Sequence, residues 1–190
     1  MNDAHRVGLA LIAKSDEAVT LLRGKLPVIV GRMAVSHYQE NFRLGGFRNS
    51  GFKEWQRPKR YDENGKDAGS QYGTLLSKRR HLYSSFKYTG GNFRTRVYNP
   101  VPYASAHNDG ETITVPVTDK MRKMGWARYY ANGGKESPTP EAEMWKRFAL
   151  TPKTQLRIKM PERPILKESA ELNTALNTRA ETEIRNLLDI

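Results

Sequence analysis

Few residues of this 190-residue chain have the types and spacing that catalysis or metal binding requires. The four histidines are not at metal-ligand spacing. The chain has no cysteine, which excludes a disulfide framework, a cysteine-ligated zinc site and a thiol nucleophile. His107-Asn108-Asp109 offers a general base and a carboxylate for Mg²⁺, but only Glu111 stands nearby as a further ligand. We therefore expect no enzyme, no cofactor and no metal, with a Mg²⁺-dependent nuclease as a minor alternative.

The excess positive charge of the chain is concentrated in one segment. The net charge is +12, and residues 43–96 supply +9 of it, with thirteen Lys or Arg against four Asp or Glu. Cations favour phosphates, and interleaved aromatic rings such as Phe47 and Trp55 can stack on bases. The segment therefore either contacts DNA or an acidic protein surface, or is a solvated loop whose rings pin it to the core or to a neighbouring subunit. The predicted basic contacts are Arg43, Arg48, Lys53, Arg57, Lys59, Arg60, Lys78, Arg79 and Arg80.

Periodic patterns predict helices towards both ends of the chain. An apolar residue recurs at every fourth position from Leu26 to Phe42, within a helical region that we place at residues 16–42. Pro27 should interrupt this region and begin a second helix, because a proline inside a helix lacks a donor and clashes with the preceding turn. The same four-residue spacing from Leu172 to Leu188 predicts a C-terminal helix that begins near Pro164.

Alternating patterns predict strands between these helices. Residues 82–89 and 93–98 read as a hairpin, and further strands lie near 113–117 and 156–158. Residues 43–74 lack any sustained period and predict a long basic loop, and residues 119–150 read as an insertion. We expect one α+β domain over residues 1–190, with an N-terminal helix, a central antiparallel sheet with long loop insertions, and a C-terminal helix packed on the sheet.

The composition is typical of a modest core with long polar segments. Apolar residues make up 37% of the chain, below the usual share for globular domains, although aromatic residues are plentiful. Such a chain can depend on neighbouring subunits to complete its burial. No run approaches the ~20 apolar residues of a membrane span, so we expect a soluble protein without a membrane partner.

Four short motifs follow one another along the chain. Phe42 precedes Gly46-Phe47 and Trp55, and the second motif is Leu75–Ser85. The third, Val97–Gly110, contains Pro102-Tyr103-Ala104 and His107-Asn108-Asp109-Gly110, and the fourth is Met160–Leu166. In this order they resemble the phage virion morphogenesis family, which includes the tail-completion protein of Mu-like phages, over roughly residues 26–190. The chain departs from the family pattern at Arg79-Arg80, Glu162 and Ile165.

The resemblance implies a structural virion protein that caps the tail tube or joins tail to head. It implies assembly in the host cytoplasm as a ring, expected to be a hexamer, with the tail tube protein, the head–tail connector or neck proteins, and DNA in the channel as partners. The residues that we expect at subunit or partner interfaces are Tyr103, His107, Arg163, Phe47 and Trp55. A fixed Arg163 suits bidentate contact with a carboxylate, within the subunit or across a ring interface. Maintenance of the fold is the alternative role for Tyr103, His107 and Arg163. The runner-up function is a basic nucleic-acid-binding protein acting on phage DNA.

Overall fold

The computed structural model describes residues 3–58 and 72–188. The elements within these ranges are α1 (Asp3–Thr20), a π-helical turn (Leu21–Lys25), α2 (Leu26–Leu44), β1 (Gly46–Arg48), β2 (Phe52–Glu54), α3 (His81–Ser84), β3 (Lys87–Gly91), β4 (Arg94–Tyr98), α4 (Ala104–Asp109), β5 (Thr112–Pro116), α5 (Asp119–Ala131), α6 (Pro140–Ala149), β6 (Gln155–Lys159) and α7 (Ala170–Leu188). No helix in the described part of the chain is both long and apolar enough to cross a membrane.

The α+β class is confirmed, with helices near both ends and small antiparallel sheets between them. The described strands form three separate two-stranded sheets, β1–β2, β3–β4 and β5–β6, in place of the predicted central sheet. The chain also divides into two compact units, residues 1–110 with 161–190, and residues 111–160. The predicted insertion at 119–150 lies inside the second unit together with its flanking strands.

The N-terminal helical region begins earlier than predicted and continues through Pro27. Helices α1 and α2 are joined by the π-helical turn, in which the Leu26 N–H donates to the Leu21 carbonyl, five residues back. This shift in hydrogen bonding comes just before Pro27, where a regular helix would require a donor that proline lacks. The helix ends at Gly45 (φ +73°), whose N–H donates to the Asn41 and Phe42 carbonyls.

Aromatic side chains from α2 and the following segments form the core of the first unit. The Phe42 ring lies edge-on to Trp55 and to Phe86, with centroid distances of 5.1 and 5.6 Å. Tyr38 stacks on Phe47 and Phe86. Rings in such offset and edge-to-face pairs add to the free energy gained from their burial.

The C-terminal helix α7 packs on α1 and α2, which with the π-helical turn form one long helix. The prediction placed α7 on a sheet. Helix α7 contacts both α2 and α1, and the Tyr38 hydroxyl donates to the Lys167 carbonyl just before it. The helix begins six residues later than predicted because Ser169 caps it, its hydroxyl accepting from the Leu172 N–H. Asn49, in the β1–β2 turn, accepts from the Ala170 N–H.

The second unit consists of two helices that pack on each other and a pair of strands that flanks them in sequence. Strands β5 and β6 pair from Thr112↔Lys159 to Pro116↔Gln155, and α5 and α6 lie between them in sequence and pack on each other. Gly125 permits this contact, since a Cβ there would lie 3.0 Å from the Phe148 ring. An Arg122 guanidinium nitrogen donates to the Ala149 and Thr151 carbonyls at the end of α6.

Local structure confirms some of the remaining predictions and corrects others. The hairpin is present as β3–β4, but its first strand starts five residues later than predicted because residues 81–84 are helical. Residues 74–80 form a series of turns that leads into α3. The described part of the predicted loop at 43–74 contains the end of α2 and the short β1–β2 hairpin.

Candidate functional site

The third and fourth motifs meet in the first unit through backbone and side-chain hydrogen bonds. The Arg163 N–H donates to the His107 carbonyl at 2.7 Å, and Arg163 Nε donates to the Gln56 carbonyl at 3.0 Å. Gly110 (φ +65°) has the backbone of Glu162 against it, about 3.0 Å from where a Cβ would lie. A left-handed conformation and this close approach both favour glycine at position 110.

Asn108 connects the same two motifs, a role that the sequence analysis missed. Its side-chain oxygen accepts from the Ile165 N–H at 3.0 Å and from the Leu166 N–H at 2.9 Å. Its amide donates to the Asp109 carboxylate at 2.8 Å. One asparagine therefore satisfies two backbone donors on the segment that leads to α7. The available sequence signal was its position two residues before a helix-ending glycine.

Three of the five predicted interface residues are buried within the first unit. Phe47, Trp55 and Arg163 are 6%, 3% and 5% exposed, so their side chains offer a partner almost no surface. Their burial favours the alternative role, maintenance of the fold, that was given for Arg163. Tyr103 is 46% exposed and remains accessible, with its ring edge-on to the half-buried His107.

His107 lies in a setting that favours the neutral imidazole. Burial, and then the nearby Arg163 charge, lower the pKa of His107 below its usual value. Its Nδ1 is buried without a hydrogen-bond partner in the described structure. The Asp109 carboxylate lies 3.6 Å from Lys167 Nζ. No group of three or more His, Asp or Glu side chains within residues 3–58 and 72–188 is placed to hold a metal ion.

Three of the nine predicted basic contacts have a partner close in sequence. Arg43 lies 2.7 Å from Glu40 and Arg57 lies 3.1 Å from Glu54. Arg48 donates to the Asn41 side chain. Lys53 is exposed beside a cavity of about 260 Å³ next to Trp55. The exposed residues Lys78, Arg79 and Arg80 lie on the turns before α3, whereas Lys59 and Arg60 lie outside the described residues.

A basic surface that the sequence analysis did not identify lies on the β3–β4 hairpin. The register pairs Lys87 with Tyr98, Thr89 with Arg96 and Gly91 with Arg94, so these residues share one face of the hairpin. We call Lys87, Thr89, Arg94, Arg96 and Tyr98 the hairpin face. Lys87, Arg94 and Arg96 are exposed, and the Arg96 guanidinium lies 5.5 Å from the centre of the Tyr98 ring.

The opposite face of the hairpin packs on the π-helical turn and α2. Gly90 lies against the Pro27 backbone, and the Thr95 hydroxyl donates to the Pro27 carbonyl at 2.8 Å. The Tyr88 ring covers Gly31, which has no side chain to obstruct it. These contacts place the hairpin beside the cations of the long helix. Arg23 Nε donates to the Asn92 side chain at 3.1 Å.

Helix α1 presents apolar side chains that nothing in the described structure covers. No residue of α1 is buried. Val7, Leu11 and Ile12 are 59%, 67% and 61% exposed. Lys14 Nζ donates to the Leu187 carbonyl near the end of α7, so residues 3–13 extend about 16 Å beyond that contact. We call Val7, Leu11 and Ile12 the apolar end of α1.

Comparisons with protein-family models, with curated proteins and with solved structures found no match to this chain.

Proposed function

We propose that this protein is a structural subunit of a phage virion that caps the tail tube or joins the tail to the head, and that it acts as a ring of copies. The observation that carries the proposal is the convergence of the four motifs of the resemblance. Phe42, Phe47 and Trp55 from the first, Leu82 from the second, Val101 and Ala104 from the third and Ile165 from the fourth belong to one buried cluster. The residues that carry the resemblance therefore pack together, which supports a common role for the four motifs in the fold.

The apolar end of α1 supports self-assembly. A helix with no buried residue is marginal in water, and most helices are stabilised by packing of an apolar face. Val7 and Leu11 lie on the same side of α1, and Ile12 lies next to Leu11. On the first unit α7 also exposes Ile184 (38%) and Leu188 (50%) near the contact between Lys14 and Leu187. The occupant that we propose is a second copy, which can bury both exposed sets.

Repetition of this contact would close a ring. One copy's apolar end packing on the neighbour's α7 end is a heterologous contact, which generates a ring where the rotation closes. Six copies are expected from the resemblance. Weak individual contacts with a tail tube then add through multivalency. In this proposal the tube protein, the connector and the neck proteins are the partners, and the ring is part of the virion.

The test combines light scattering with negative-stain electron microscopy, on the protein alone and mixed with tails from particles that lack it. Wild-type protein is expected to give rings and density at one tube end. The double variant Leu11→Glu/Ile12→Glu should remain helical by circular dichroism but lose the rings. Ala13→Glu is the matched control, because it adds a carboxylate about 200° around the helix from Leu11. A wild-type protein that is monomeric and does not bind the tubes would overturn the proposal.

A further inference from the structure

The cations of the hairpin face are close together because of the strand geometry. Arg94 and Arg96 are two residues apart on β4 and project from the same face, with Cα atoms about 6.6 Å apart. Lys87 lies diagonally across the ladder from Arg96. Like charges on neighbouring positions of one face repel each other and destabilise a sheet.

Within residues 3–58 and 72–188, no carboxylate forms an ion pair with these cations. Residues 21–39 and 87–98, the two stretches that pack together here, contain six Lys or Arg and no Asp or Glu. None of the six is within ion-pair distance of a carboxylate in the described part of the chain, in contrast to Arg43 and Arg57. The six cations are Arg23, Lys25, Arg32, Lys87, Arg94 and Arg96. Repulsion that the fold leaves uncompensated would be relieved by an anion from outside.

An aromatic residue in an unfavourable conformation stands at the hairpin tip. Asn92 (φ +50°) and Phe93 (φ +62°) form the turn, and both are left-handed. Asparagine tolerates this region, but the second position of such a turn strongly favours glycine. The Phe93 side chain is 61% exposed, so packing within the unit contributes little to keeping it there. Strained residues of this kind cluster at binding sites.

We propose that the hairpin face and the adjoining cations of the long helix bind the phosphate backbone of duplex DNA, with Phe93 making contact at the tip. Protein–DNA interfaces are more polar and far more positive than protein–protein interfaces. Protein-binding surfaces instead have an apolar centre from which charged residues are depleted. The hairpin face has three cations, one threonine and one tyrosine, and a groove of about 610 Å³ runs along Thr89, Arg94 and Arg96. A row of phosphates fits this surface better than an acidic protein does.

The first test measures binding of a fluorescein-labelled 20-base-pair duplex by anisotropy over a series of salt concentrations. The variant Arg94→Gln/Arg96→Gln removes two cations, and Arg157→Gln/Lys159→Gln is the matched control. The control pair is also two exposed cations spaced i, i+2 on a strand, but lies in the second unit. Two lost phosphate contacts should weaken binding roughly 10- to 100-fold at ~0.1 M salt and reduce the slope of log K against log salt by about 1.8.

Three results would overturn the proposal. Equal weakening in the two variants would show that net charge alone attracts the DNA. Unchanged binding in Arg94→Gln/Arg96→Gln would show that the hairpin face takes no part, and tighter binding of labelled poly-glutamate than of duplex would assign the face to an acidic protein. Both hairpin substitutions lie away from the apolar end of α1 and should leave ring formation intact, so failure here is distinguishable from failure of the ring proposal.

The second test separates the role of Phe93 in binding from its effect on folding. Phe93→Gly places the favoured residue in the left-handed turn, so the thermal midpoint should rise. DNA affinity of the same variant should fall about threefold or more, because the contact at the tip is lost. A variant that is more stable and binds as tightly as wild type would remove Phe93 from the proposal, whereas a less stable variant would contradict the strain assigned to it.

Discussion

Replacement of Asn108 tests whether the bonds between the third and fourth motifs stabilise the first unit. In Asn108→Ala, the backbone N–H groups of Ile165 and Leu166 lose their acceptor. Ile165 is 1% exposed, so water cannot easily replace the lost bond there. Each buried donor left without a partner costs about 1–3 kcal/mol. Because Asn108 is itself only half-buried, we expect the free energy of unfolding to fall by about 2–4 kcal/mol.

The measurement has to report on the first unit alone. Trp55 lies in that unit, whereas Trp126 and Trp145 lie in the second. In a Trp126→Phe/Trp145→Phe background, urea unfolding followed by tryptophan fluorescence therefore reports on the environment of Trp55. A loss of 2–4 kcal/mol corresponds to a lowering of the urea midpoint by about 1–2 M at a slope of about 2 kcal/mol per molar.

A side-chain exchange and a surface variant control this prediction. Asn108→Asp/Asp109→Asn keeps an acceptor oxygen at position 108 and a donor at position 109, so it should recover most of the stability lost in Asn108→Ala. Asn173→Ala removes an exposed amide that contacts only Glu168 and should cost under about 0.5 kcal/mol. If Asn108→Ala stays within 0.5 kcal/mol of the parent, the bonds at Ile165 and Leu166 do not hold the two motifs together and the reasoning is refuted.

Two further predictions concern the contact between helix and hairpin, and the response to pH. Gly31→Ala puts a Cβ against the Tyr88 ring and should cost about 1–2 kcal/mol of unfolding free energy after the gain in helix propensity. Gly24→Ala meets no atom within 4 Å and should stabilise by up to about 1 kcal/mol. Urea unfolding checks both, and a change of the same sign in the two variants would contradict the packing at Gly31. Because the pKa of His107 is lowered in the folded state, stability should be full above pH ~6.5 and fall as the pH drops through that value towards the folded pKa. His107→Gln should reduce this fall between pH 7.5 and 5.5, and an identical pH profile would exclude the contribution of His107.

Sequence patterns predicted the elements whose burial is periodic. The four-residue spacing in α2 and α7 and the alternation in the β3–β4 hairpin identified those segments, although their boundaries shifted. Helix α1 was missed over residues 3–15 because its apolar residues are exposed and its pattern is broken by small residues. The predicted start of α7 is too early because the periodic pattern gives no sign of the Ser169 cap, which determines where the helix begins.

Charge counted along the chain identified the basic segment at 43–96 but did not single out the hairpin cations within it. Residues 43–57 are rich in arginine, but the fold pairs Arg43 and Arg57 with carboxylates three residues away. The hairpin, by contrast, contacts Arg23 and Arg32 of the helical region, about 60 positions earlier in the chain. Only the docking of Gly90 and Tyr88 on α2 brings these stretches together. Linear composition contains no information about that contact, so the surface becomes evident only in three dimensions.

The burial of the motifs also determines what the resemblance can imply about partners. Phe47, Trp55, Arg163 and Ile165 are between 1% and 6% exposed, so the residues that carry the resemblance specify the core. A core of this kind can persist while the surface changes, because a fold alone does not specify a partner. Groups exposed to partners in the described residues include the apolar end of α1, the hairpin face and Tyr103. Substitutions at these positions should therefore change assembly or DNA binding while leaving the unfolding of the first unit nearly unchanged, whereas substitutions in the motifs should do the reverse.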